Sequence, residues 1–142
     1  VQTLAVVDGD LVLNAGSILT ISGPNKIKQD LYFALHEAYG ADPYHPTWGT
    51  VLDQFIGLPQ TPAVRQSAIN EVSRVLDNYV AVQSDQINSY TATDNRSGFY
   101  ASDVVRSVDS IDVQGMGPNI MITANLTTMA GQQLSAQREV GS

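Results

Sequence analysis

The sequence contains no cysteine, which excludes disulfides and thiolate metal sites and suits a reducing cytoplasm or a particle assembled there. Positive charge is scarce: seven Lys and Arg stand against fourteen Asp and Glu, for a formal charge of −7. Those few cations are scattered along the chain, so the clustered phosphate contacts that hold nucleic acid are not expected. No apolar run approaches the roughly 18 residues that cross a bilayer, and no basic segment leads into an apolar stretch at the start, so neither a membrane span nor an export signal is expected. Charged residues of both signs make up only 15% of the chain, against 43% apolar residues. Such a chain should fold around a core and present an uncharged surface rich in Ser, Thr, Asn and Gln, as subunits of permanent assemblies often do. Its 142 residues fit one domain, and a domain of this size buries roughly 68–70% of its unfolded surface without covalent staples.

Catalytic constellations are incomplete. His36-Glu37 opens a zinc-protease pattern, but position 40 is Gly40 where the second histidine would stand. His36, His45 and Asp42 leave a two-histidine metal site conceivable, with ordinary polar residues near a helix end as the plainer reading. Glu37 with Asp42 or Asp53 would be the carboxylate pair of a glycosidase, yet in so acidic a chain such pairs arise by chance. No Gly-x-Ser-x-Gly elbow and no glycine-rich phosphate loop with lysine is found. No cofactor, catalytic residue or metal ligand is therefore expected. Asn95-Arg-Ser97 and Asn125-Leu-Thr127 match glycosylation sequons and are read as coincidental.

The chain does carry clear periodicity. Asp8-Gly9 sits between the apolar runs 4–7 and 11–13 and predicts a hairpin. A further β-prone run at 17–21 ends at Gly23-Pro24. No internal repeat is read in the sequence. From about residue 25 to 39, Ile27, Leu31 and Leu35 with Ala34 and Ala38 recur at helical steps, with Gly40 as the expected left-handed cap. Val51, Leu52, Phe55 and Ile56 predict a second helix at about 48–56, with Trp48 as a core plug beside it rather than a binding-site aromatic. Thr61-Pro62 starts a third, at about 62–88, whose stripe is Val64, Ala68, Val72, Val75, Leu76 and Tyr79. A polar excursion follows at about 89–102. The last third is β: a strand at 104–113, a turn at 115–118, and a run from Asn119 to Met129 in which Ile120, Ile122, Ala124 and Leu126 face one way and Met121, Thr123, Asn125 and Thr127 the other. Leu134, Ala136 and Val140 predict a final strand, interrupted on the same face by Arg138. The expected fold is α+β, with helices packed on a small antiparallel sheet built from N-terminal and C-terminal strands.

The series 16–23, the helix after it, Gly40 and Pro46-Thr-Trp-Gly-Thr-Val-Leu52 resembles, in order and spacing, the baseplate wedge or sheath-initiator family of contractile phage tails, sometimes labelled lysozyme-like baseplate proteins. The proline-started helix and the strands from Asn119 to Leu134 extend the resemblance over most of the chain. It implies a non-enzymatic virion subunit, assembled in the host cytoplasm and present in several copies around the tail axis. Its implied partners are the tail sheath protein, other wedge proteins and the tail tube. The family's Glu-Pro-Arg triplet is missing, and Arg106 in Asp103-Val-Val-Arg106 is the nearest candidate for that contact. The expected interaction residues are Arg106, Ile120, Met121, Ile122, Thr123, Asn125, Thr127, Met129, Gln133 and Leu134, along an edge that would take strands from sheath subunits. On that reading, proline at Thr123 or Asn125 would stop sheath assembly and spare the baseplate. The rival expectations are a tail or virion adaptor without sheath contact, and a peptidoglycan hydrolase.

Overall fold

The helical steps of Ile27, Leu31 and Leu35 build α1 (Pro24–His36), and all three side chains are fully buried. Its first turn is held from far away in sequence: the Asp103 carboxylate accepts the Gly23 N–H at 2.6 Å. The helix stops earlier than its apolar pattern suggests, because Glu37 turns extended and Ala38 pairs with Thr50 in a parallel bridge. Gly40 has positive φ, but in the connector beyond rather than as the helix cap. The structure, a computed structural model, describes residues 2–7, 10–14, 16–59, 61–92, 101–116 and 119–141.

The second expected helix shrinks to a single 3-10 turn, Leu52–Phe55, with Leu52 buried. The residues before it are committed elsewhere: Thr50 N–H donates to Glu37 O at 2.8 Å, Tyr39 N–H to Thr50 O at 3.1 Å and Gly40 N–H to Trp48 O at 3.1 Å. Donors and acceptors bonded sideways to another segment are not available for a helix. Next comes α2 (Pro62–Ala92), which starts as expected, with Thr61 Oγ1 accepting the Val64 N–H at 3.2 Å, and runs a turn past its expected end. Ala68, Val72, Val75 and Leu76 are buried, with Tyr79 packed against them. The heart of the polar excursion, 93–100, lies outside the described residues; a 3-10 turn at Ala101–Asp103 follows it.

Among the described residues nine strands form, in two groups. In chain order they are β1 (Gln2–Leu4), β2 (Val6–Val7), β3 (Asp10–Leu11), β4 (Leu13–Asn14), β5 (Ser17–Ile18), β6 (Thr20–Ser22), β7 (Val105–Met116), β8 (Asn119–Thr128) and β9 (Gln133–Val140). The last three make one antiparallel sheet, ordered β7-β8-β9. Ile120, Ile122, Ala124 and Leu126 turn to the helices, as their alternation requires, and α1 lies over β9 while α2 lies over β7. The α+β architecture is as expected. The N-terminal strands, however, do not join this sheet; among the described residues they pair only with one another.

Their pairing is cyclic. Val6 pairs with Leu11, Leu13 with Ile18, and Thr20 with Leu4. Adding seven to each residue of one pair gives the next, with the third closing on the start of the first. At the centre Ala5 N–H donates to Leu19 O at 2.8 Å, Val12 N–H to Ala5 O at 3.0 Å and Leu19 N–H to Val12 O at 2.8 Å. The pairing is thus a threefold repeat of seven residues, and glycine recurs at that interval in the sequence, at 9, 16 and 23. That corrects the expectation of no repeat; its sequence trace is a glycine and an aliphatic residue every seven positions. The hairpin around Asp8-Gly9 is present as the β2–β3 pair, its two turn residues lying outside the described ones. Strands of two or three residues have too few ladder bonds to extend a neighbouring sheet, and closing on themselves satisfies the donors instead.

Candidate functional site

The expected interaction edge, residues 119–140, is divided between two strands of different position. β8 is the central strand: Thr123 faces Asp112 on one side and Gln137 on the other, and Asn125 faces Ser110 and Ser135. Its backbone is used on both sides, so no further strand can add to it. Ile120, Ile122 and Leu134 are buried under the helices and cannot touch a partner without unfolding. Met121, Thr123 and Asn125 lie half-buried on the outer face, where Asn125 Nδ2 donates to Ser110 Oγ at 2.9 Å. Thr127 is buried, and its hydroxyl donates to the Asp109 carboxylate. That bond, then a second from Ser107, pulls the Asp109 carboxyl below its usual range. Met129 is exposed in the turn after β8, Gln133 is exposed at the start of β9, and Arg106 is exposed on β7.

The free edges belong to β7 and β9, and they differ. β7 shifts register twice, between Val105 and Ser107 and between Val108 and Ser110, and exposes Asp109 and Asp112. Bulges and charges are the usual protection of a sheet edge. β9 pairs with β8 over all eight residues without a shift. The N–H of Thr128 donates to Gln132 O at 2.8 Å, which sets the phase of the antiparallel ladder: alternate pairs exchange bonds, and the pairs between them do not. In that phase Gln133, Ser135, Gln137 and Glu139 aim their backbone N–H and C=O groups away from β8. Among the described residues no strand pairs with that edge. The side chains of these four residues are all exposed, and three of them are uncharged.

Arg138 holds β9 in place. Its side chain is only 7% exposed, and its guanidinium donates to the Leu35 carbonyl at the end of α1 and to the Asp53 carboxylate in the 3-10 turn. A cation at a helix C-terminus meets unsatisfied carbonyls there. The interruption that Arg138 makes in an otherwise apolar phase was the available signal for this role. Gln83 was less visible: buried mid-helix, it bridges α2 to β7 by donating to Asp103 O at 2.8 Å and accepting the Val105 N–H at 2.9 Å.

Between α1, α2 and the connector lies a groove of about 270 Å³, lined in part by Lys26, Asp30, Phe33, Glu37, Trp48 and Tyr79. Lys26 Nζ and the Tyr79 hydroxyl both donate to Asp30 Oδ2, at 2.5 and 2.9 Å. Burial and then the Asp30 charge push the Tyr79 phenol up, so it stays a donor. Trp48 is half-buried rather than a core plug; it stacks on His45 with ring centroids 3.7 Å apart. The connector is clamped by Arg74, which donates to Gly49 O at 2.8 Å and to Glu71 Oε1 at 2.6 Å, while Glu71 also accepts the Val51 N–H at 3.0 Å. The bond from Arg74 is the main cause that holds the Glu71 carboxyl below its usual range.

The two histidines have separate surroundings. His36 Nδ1 meets Tyr32 O at 2.7 Å, whereas His45 Nδ1 bonds the Asp42 carboxylate at 2.7 Å, and that bond holds the Asp42 carboxyl below its usual range. Among the described residues no group of three or more His, Asp or Glu side chains is placed to hold a metal ion. No helix among them is long and apolar enough to cross a membrane. No family model matches the chain, and no curated protein matches it.

Proposed function

We propose that the chain is a non-enzymatic subunit of a phage-type contractile-tail baseplate that joins the wedge to the tail sheath and templates the first sheath layer by strand addition along β9. The observation that carries this reading is the regular edge of β9, with which no strand pairs among the described residues, and along which four residues direct their backbone groups outward. If four to six hydrogen bonds form there at a net ~0.5–1.5 kcal/mol each, the gain is roughly 2–9 kcal/mol before the entropy of association. Copies arranged around a tail axis turn that modest gain into avidity. The helical side, with Arg106 at the far edge, is left for wedge partners. A glycosidase acid would need a raised pKa, whereas the Asp42, Glu71 and Asp109 carboxyls are each pulled down.

The test moves from β8 to β9. Proline at Ser135 or Gln137 removes an outward N–H without breaking the β8–β9 ladder, since an edge strand tolerates proline on its open side. Particles carrying either variant should assemble baseplates but leave tail tubes bare of sheath in electron micrographs. Sheaths of normal length on those particles would overturn the reading.

A further inference from the structure

The groove between α1 and α2 has a chemistry of its own, independent of any contact with sheath. Three aromatic residues, Phe33, Trp48 and Tyr79, line it together with Glu37. Phe33 remains 41% exposed, so its ring is only partly covered by the protein itself. The charges within the groove do not cancel. Lys26 and Asp30 form an ion pair at 2.5 Å, which leaves the Glu37 carboxylate, with no hydrogen-bond or ion-pair partner among the described residues. The Gln83 amide is already committed at both ends to Asp103 O and Val105 N.

We propose that this groove receives the side chain of one arginine from a basic segment of a partner protein. Its volume of about 270 Å³ lies below the usual range for drug-sized ligands, roughly 300–1,000 Å³, and suits one long side chain. A guanidinium stacks on aromatic faces and forks onto a carboxylate, satisfying the rings and Glu37 together. An apolar side chain would leave Glu37 desolvated and unpaired. An anion would meet that same carboxylate on a chain whose formal charge is −7.

Trp48 is the sole tryptophan, so its fluorescence reports on the groove directly. The intact chain is titrated with an acetylated, amidated pentapeptide bearing one central arginine, and with the same peptide bearing citrulline, which keeps the shape and lacks the charge. The arginine peptide should change the emission saturably at millimolar concentration, and the citrulline peptide should not. Glu37→Gln should weaken the response about fivefold or more, and Phe33→Ala by a similar factor. Both variants alter exposed or half-buried side chains, and circular dichroism checks that each remains folded. No saturable change, an equal response to citrulline, or an unchanged affinity in folded Glu37→Gln would each overturn the proposal.

Discussion

The two β regions are made by opposite means. The C-terminal sheet has strands of eight to twelve residues whose alternate side chains are buried against two helices. The N-terminal ring has strands of two or three residues and leaves Leu4, Val7, Leu11 and Leu13 exposed. In the sheet the hydrophobic effect sets the register, because a slip of one residue would turn Ile122 and Leu126 out to solvent. In the ring, backbone hydrogen bonds and threefold closure set it, and the side chains are freer to vary. One region derives its stability from what it buries, the other from pairing its backbone donors around a closed ring.

The largest expected effect tests that contrast by making the same change in both regions. Leu126→Ala, in the sheet, should cost about 2–5 kcal/mol in urea denaturation, since the side chain is fully packed. Leu13→Ala, in the ring at 65% exposure, should stay within about 0.5 kcal/mol. Equal costs would break the comparison.

A smaller effect sharpens it. Gly16 has φ +83° with open space around its Cβ position, so Gly16→Ala should cost about 1–2 kcal/mol through backbone strain alone. If the ring is a separate cooperative unit, hydrogen exchange should speed up at the amides of Ala5, Val12 and Leu19 and stay unchanged at Ile122. Faster exchange at both places would make ring and sheet one unit.

The smallest effect is electrostatic and confined to the sheet. The Asp109 carboxyl is lowered first by the Thr127 hydroxyl and then by that of Ser107. A group whose folded pKa lies below its unfolded one adds stability above the unfolded value, about 3.9 for Asp, and that contribution is lost as pH falls through the folded value. Thr127→Val should therefore move the Asp109 titration, followed by NMR, upward toward the ordinary range and flatten this part of the acid dependence. An unmoved titration would remove the hydroxyl as its cause.

Most of the helical fold is legible in the residues. Ile27, Leu31 and Leu35 and the α2 stripe can be read directly, because burial of one helical face leaves a period that needs no partner to be recognised. The Thr61-Pro62 start is legible for a similar reason, since an N-cap acts within three residues. The helix expected at 48–56 does not form because its apolar spacing is real but its backbone is held sideways by Glu37, Tyr39, Gly40 and Arg74, contacts that a local pattern does not register. The threefold ring leaves only a short trace in the sequence, glycine at 9, 16 and 23 and an aliphatic residue at 4, 11 and 18, because most of its regularity lies in backbone hydrogen bonds.

The candidate site is half legible. The inward and outward faces of β8 follow from its alternation, which is a property of any strand. Which strand is central does not, since β8 and β9 each show that alternation and only pairing distinguishes them. The sequence by itself determined the α+β class, the two helices, the faces of the last strands and the absence of disulfide chemistry, all of which depend on local period or composition. The tertiary structure decided that β9 rather than β8 carries the open edge, that Arg138 ties it to α1, and that Phe33, Glu37, Trp48 and Tyr79 share one groove. Those depend on contacts between residues far apart in the chain, where composition and period carry no information.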